Sequence, residues 1–145
     1  MVKPVSKSKN ASSIEQRRSV MVWTSFWLYS AFVFYAAILP ASRIPGLFLR
    51  VNDKLAHLVQ YFLLFLLTVR AFSHAKSFWL HSHAQSWALF WCFGIGIVTE
   101  LLQFHVPGRS ASFTDELANF SGAILALLLY RLAKWMQRGT SGACF

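Results

Sequence analysis

Acid is scarce in this chain, and its placement is the first clue to chemistry. Of the five Asp and Glu residues in 145, Asp53, Glu100, Asp115 and Glu116 lie inside or at the mouths of segments apolar enough to cross a membrane. Only Glu15 lies elsewhere. A charged group at such a depth costs roughly 2.5–3.5 kcal/mol and is rare unless it is paired or functional. Glu100 falls inside an apolar run about a turn before its end, with Gln103 at i+3 on the same helical face. One reading makes Glu100 half of a buried pair with Arg109 or His57 that fixes packing. The other makes it a general acid or base. A structural contact needs only a neutral hydrogen bond, so Glu100 is assigned a catalytic role.

Asp53, His57 and Tyr61 are spaced by four and share a helical face, with Gln60 beside them. Asp53 has an ordinary explanation as a first-turn acid complementing the helix dipole. His57 lies deeper in an apolar stretch. It is read with Glu100 as a proton-exchanging pair, with Asp53 orienting the imidazole. In the turn His105-Val106-Pro107-Gly108-Arg109, Arg109 has the planar fork that grips a phosphate or carboxylate. Its alternative is a side chain that reaches to lipid headgroups. Ser112 to Asp115 fits a capping box, which accounts structurally for Asp115 and Glu116. Asn119, one turn further in, lacks that account and should face Asp115. Arg109, Asp115, Asn119, Gln103 and Tyr61 are therefore taken as substrate-binding candidates beside the catalytic set Glu100, His57 and Asp53.

Asp53, His57, Glu100 and Asp115 are acceptable metal ligands by type. Their spacing is unlike a compact zinc motif and draws on three helices, so the site is expected to be metal-free and to need no cofactor. His74, His81 and His83 fall in a loop at the opposite end and are expected to be solvated. Ser110 and Ser112 are available hydroxyls, but nothing around them resembles a nucleophile elbow.

Four apolar runs must position these residues: Val20 to Leu39, Leu55 to Val69 (longer if Asp53 and Lys54 begin the helix), Ala84 to Phe104, and Leu117 to Leu132. Twenty helical residues span about 30 Å, enough for a bilayer core. The first run lacks a convincing cleavage site after it and is too long for a signal-peptide core. It is read as a membrane anchor. Pro40, Pro45 and Pro107 fall in connections. Gly122 and Ala126 make a small-xxx-small face for close helix packing. The expectation is an all-α membrane protein, with four transmembrane helices in a compact bundle over residues 20–133. A basic tail of residues 1–19 and a short tail of residues 134–145 flank it.

Composition agrees. The chain is 56% hydrophobic and 13% charged, where a soluble domain carries about a quarter charged residues; its mean hydropathy is +0.46. The net charge of +9 is not a nucleic-acid signature, because basic residues flank the apolar runs rather than interleave with aromatics on a polar face. Ten Lys and Arg residues fall in the N-terminal segment, the 70–83 connection and the C-terminal end, against four in the other two connections. Both termini are therefore expected in the cytoplasm. The starts of the second and fourth helices and the end of the third then share the outer side. Cys92 and Cys144 make no disulfide framework.

Taken in order, Asp53-Lys54-x-x-His57-x-x-x-Tyr61, Glu100-x-x-Gln103, Pro107-x-Arg109 and Asp115-x-x-x-Asn119-x-x-Gly122 resemble the VanZ-like family of small bacterial membrane proteins. The pieces cover about half the chain, and Ala126 departs from an expected second glycine-like contact. The resemblance implies a multi-pass protein of the bacterial cytoplasmic membrane. The family takes its name from a member associated with low-level resistance to teicoplanin. Membrane lipids are the expected partners, with a lipid-linked envelope precursor as a candidate substrate, and a homo-oligomer is compatible with so few helices. Three functions compete: an enzyme at the outer membrane–water boundary, a non-catalytic module that captures an anionic headgroup or assists another membrane protein, and a polar cluster that only locks four helices together. Transport is weaker, since no broken-helix pair is visible.

Overall fold

The computed structural model describes residues 6–40, 53–108 and 112–141. They form five helices: α1 (Ser6–Ile38), α2 (Asp53–Phe72), α3 (Phe78–Ser82), α4 (Ala84–Gln103) and α5 (Phe113–Ser141). The apolar runs thus become α1, α2, α4 and α5. All four are long and apolar enough to cross a membrane. α1 and α5 are longer than the runs that nucleate them. α1 begins within the basic segment, and α5 continues past Leu132 to Ser141. Hydropathy marks only the lipid-matched part of a helix, whereas backbone hydrogen bonding carries on into polar sequence. α3 is a single extra turn in the connection between α2 and α4, with Phe78 and Trp79 exposed on it.

α2 is the central helix, packing against α1, α4 and α5, and its pairing with α5 is the most extensive. The reason is visible at Gly122 of α5, where an added Cβ would collide with the backbone carbonyl of Leu58 in α2. The two backbones touch, as small residues permit in a membrane. Ala123 and Ala126 extend that seam, both completely buried. Tyr29 of α1 donates its hydroxyl proton to the Gln60 carbonyl (3.1 Å), tying α1 to α2. Arg131 of α5 donates from Nε to Gln85 Oε1 of α4 (2.8 Å).

The surface is inverted relative to a soluble protein. Leu28, Phe32, Leu63, Phe90, Leu101, Leu128 and Leu132 all point outward from the four long helices. The side chains buried between helices include His57, Thr68, Thr99, Glu100, Gln103, Asp115 and Asn119. Outward apolar groups with inward polar ones is the arrangement that hydrocarbon solvent selects.

At one end the interior is aromatic. Phe26 sits with ring centroids 5.7 Å from Trp23, 4.8 Å from Trp27, 5.7 Å from Phe72 and 5.4 Å from Trp91. The polar residues gather at the other end, where α2 and α5 start and α4 finishes.

Candidate functional site

α2 enters the polar end with Asp53 as its first residue, exposed, in the first turn that favours a carboxylate. One turn on, His57 is buried, and another turn down is Tyr61. α5 enters from the neighbouring side. Ser112 caps it by accepting the Thr114 N–H on its hydroxyl oxygen (3.3 Å), and its carbonyl accepts the Asp115 N–H (2.9 Å). This stands in place of the reciprocal capping box. Asp115 is freed to turn inward, where it is buried. α4 delivers Glu100 and Gln103 in its final turn, both buried. The chain then leaves through a turn in which Gly108 adopts φ 78°, a left-handed conformation suited to glycine.

A directed hydrogen-bond chain runs across the α2–α5 seam. Asn119 Nδ2 donates to Glu116 Oε2 (3.1 Å), so its Oδ1 faces His57 Nδ1 at 2.9 Å. Asn119 Oδ1 can only accept, so His57 carries its proton on Nδ1. In the neutral ring the lone pair is then on Nε2. Below it, Thr99 donates to the Gly96 carbonyl (2.9 Å) and accepts the Tyr61 hydroxyl proton (2.8 Å). Tyr61 and Thr99 thus floor the site and tie α2 to α4.

Glu100 uses one carboxylate oxygen, Oε2, to accept the Ser112 N–H (3.0 Å). Its other oxygen is buried without a hydrogen-bond partner among the described residues, as is Oε1 of Glu116. His57, Asp115 and Asp53 lie within electrostatic reach of Glu100, and Glu116 within reach of Glu100 and His57. His57 has Glu100 and Glu116 within that reach and Asp53 and Asp115 beside it, making it the shared neighbour of four carboxyl groups. Three of these groups come closer still: one ligand-type atom from each of Asp53, His57 and Asp115 lies within 4.8 Å of the other two.

A protein-family model described as VanZ/LLP1 matches residues 3–134, nearly the whole chain. This chain belongs to the VanZ/LLP1 family. It is accordingly a multi-pass membrane protein of the VanZ type. No curated protein and no solved structure is matched.

Within this VanZ-type chain, the structure brings together Asp53, His57, Glu100, Gln103, Asp115 and Asn119 at one end, with Tyr61 a turn deeper. Arg109 lies outside the described residues. Asn119 differs from expectation in its partner: its side-chain amide is bonded to Glu116, at i−3, rather than to Asp115 at i−4. Glu116 itself is the residue that capping logic set aside. Its carboxylate lies against Gly96 of α4, where an added Cβ would strike the carboxylate oxygens. The signal was present in the i, i+3 spacing of Glu116 and Asn119, but the opposing glycine belongs to another helix. Thr99 was also missed, since a single threonine in an apolar run has no distinctive spacing. His81 and His83 are exposed at the far end, as expected of solvated residues.

Proposed function

We propose that the polar end is a working site at the membrane–water boundary, which recognises the anionic headgroup of a lipid or lipid-linked envelope substrate and exchanges a proton with it. The observation that carries this reading is the pair of carboxylate oxygens on Glu100 and Glu116, buried without a hydrogen-bond partner among the described residues, beside a histidine whose ring is held through Nδ1 by Asn119. A cluster serving only to lock helices would use its acceptors, because an unmet buried polar group costs about 1–3 kcal/mol. In the proposed site Arg109 grips the anionic group. His57 and Glu100 transfer the proton, Asp53 and Asp115 flank the imidazole, and Asn119 holds its tautomer. Gln103 and Tyr61 shape the wall and floor.

The surplus of basic residues at the termini and the 70–83 connection supports both termini in the cytoplasm and the polar end on the outer side of a bacterial cytoplasmic membrane. This is where an envelope substrate is met, and glycopeptide resistance is one setting in which such a role is read out. A second reading has its own support. The His57–Asn119 and Tyr61–Thr99 bonds both cross between helices, so the cluster also contributes to packing in the manner of a lock. Thermal unfolding and proton-transfer activity of Glu100→Gln in one detergent separate the two. A site predicts an unchanged or higher Tm with lost proton-transfer activity, and a lock predicts a marked fall in Tm. Unaltered envelope lipids and glycan precursors after deletion of the protein, across growth conditions, would sink the enzymatic version.

A further inference from the structure

The spacing of residues along the chain argues for a metal-free site; their arrangement in space argues otherwise. We infer that Asp53, His57 and Asp115 form a divalent-cation site at the mouth of the polar end, suited to Zn²⁺ or Mn²⁺, with Glu100 as a further carboxylate beside it. The inference rests on reading the polar end as a site and adds the group that would draw a phosphate into an acidic pocket; with Nε2 of His57 on the ion, proton exchange falls to Glu100.

Three observations carry it. First, one imidazole and two carboxylates each offer a ligand atom within 4.8 Å of the others. A tetrahedral zinc ion with bonds of about 2.0–2.1 Å holds its ligand atoms about 3.4 Å apart. A modest contraction therefore closes the set, and Asp53 is exposed at the first turn of α2. Second, the imidazole is prepared as metal-ligating histidines are. Its Nδ1 proton is donated to a carbonyl-type oxygen, Asn119 Oδ1, and Asn119 is held in turn by Glu116. This outer arrangement fixes the ring and leaves the Nε2 lone pair for the ion. Third, Glu100 is 8% exposed and has one oxygen without a hydrogen-bond partner among the described residues. The groups it feels electrostatically include all three of the triad. A buried carboxylate oxygen beside other carboxylates is unfavourable until a cation or a proton meets it.

The mixture of ligands selects the ion. Oxygen alone would suit Mg²⁺ or Ca²⁺, whereas an imidazole nitrogen favours a transition metal. Three protein ligands leave a coordination position open, as catalytic zinc sites do. An anionic headgroup oxygen, or a water molecule, fills that position.

The metal titrations use full-length protein purified in detergent, stripped with EDTA and dialysed, with no lipid substrate added; headgroup binding is measured separately on the same stripped and loaded protein. ZnCl2, MnCl2, MgCl2 and CaCl2 are titrated separately. Bound metal is measured by elemental analysis, Mn²⁺ coordination by electron paramagnetic resonance, and stability by Tm. The expected result is one Zn²⁺ or Mn²⁺ per chain, a Tm that rises with the ion, and at least tenfold weaker binding in Asp53→Ala and Asp115→Asn. Asp53 is exposed, so Asp53→Ala keeps the test decisive even where a buried variant such as His57→Ala fails to fold. Uptake that is unchanged in Asp53→Ala would place the ion elsewhere, for instance at His74, His81 and His83, and overturn the inference. So would the absence of stoichiometric uptake. Headgroup binding by metal-stripped protein that takes up no ion removes the cation and leaves the proposed function standing. Stoichiometric, Asp53-dependent uptake without headgroup binding upholds the cation and removes that function.

Discussion

The two ends of the helix packing are built on opposite principles. At the aromatic end, Phe26, Phe72 and Trp91 come from three helices and interlock through tilted and edge-on ring contacts, with Trp23 and Trp27 completing the cluster. At the polar end, His57, Glu100, Asp115 and Asn119 come from three helices; His57 bonds Asn119 and Glu100 accepts the Ser112 N–H, while one oxygen each of Glu100 and Glu116 is left without a hydrogen-bond partner among the described residues. Ring packing is satisfied by shape. In lipid, where apolar contact with another helix replaces apolar contact with a chain, dense packing of this sort is what holds helices together. The aromatic end is not free of unmet groups either, since Trp91 Nε1 and the Ser30 hydroxyl are buried without a hydrogen-bond partner among the described residues. Those are neutral, whereas the oxygens at the polar end belong to acids. The contrast teaches that one end is organised by packing alone, and on the proposed reading the other gives up some stability for function.

The strongest blow to that contrast would come from the aromatic end. Phe26→Ala, which empties a completely enclosed position, is expected to lower stability by about 3–5 kcal/mol, seen as a large fall in Tm, with ligand binding per folded molecule retained. Were binding lost in the folded fraction, the ends would not be separable. Next in size is Gly122→Ala at the seam between them. The added methyl meets the Leu58 backbone, which cannot rotate away, and forces α2 and α5 apart at a cost of about 1–3 kcal/mol. Denaturation in a graded detergent series should show it. Because His57 and Asn119 face each other across this seam, polar-end function should suffer too.

Asn119→Ala should have a smaller effect. It deletes an interhelical bond worth about 1 kcal/mol in a membrane and releases His57 to either tautomer. Nitrogen NMR of the imidazole should then show Nδ1 losing its fixed proton. Gly96→Ala should be milder in stability than Gly122→Ala, because the obstructing group is the flexible end of Glu116 rather than backbone. Its expected signature is a displaced Glu116 carboxylate, with headgroup binding weakened more than Tm. A Tm loss equal to that of Gly122→Ala would show that Glu116 is rigidly held, blurring the line between site and lock. Smallest in stability is Glu100→Gln, for which the two-end contrast predicts no loss of Tm. A marked fall would move Glu100 to the structural side.

Much of this was legible residue by residue. Glu100, His57 and Asn119 stood out because a polar residue in an apolar run is improbable without a partner. The i, i+4 and i, i+3 spacings placed Asp53, His57 and Tyr61 on one face and Glu100 and Gln103 on another. Gly122 was recognisable as a packing residue from its spacing to Ala126. What stayed hidden depended on the relation between helices. Capping rules assigned Glu116 to the end of α5, yet it is drawn into the interior by Asn119 and by the space that Gly96 leaves open. Thr99 acquires a role only because Tyr61 arrives from α2 at the right height. The aromatic cluster was invisible too, since Phe26, Phe72 and Trp91 are separated by long stretches of equally aromatic, outward-facing sequence.

By itself, then, the sequence determined that this is an all-helical chain with four membrane-length segments and polar groups concentrated near particular helix ends. Those features follow from local quantities: hydropathy summed over about 20 residues and the fixed 3.6-residue repeat of the helix. Tertiary structure alone decided which polar groups meet. Asp53, His57 and Asp115 come within 4.8 Å of one another although Asp115 lies more than fifty positions along the chain from the other two. They do so because glycine at position 122 lets the backbones of α2 and α5 touch. Rotation and register of one helix against another are set by side-chain shape across the seam, and no periodicity within a single helix encodes them.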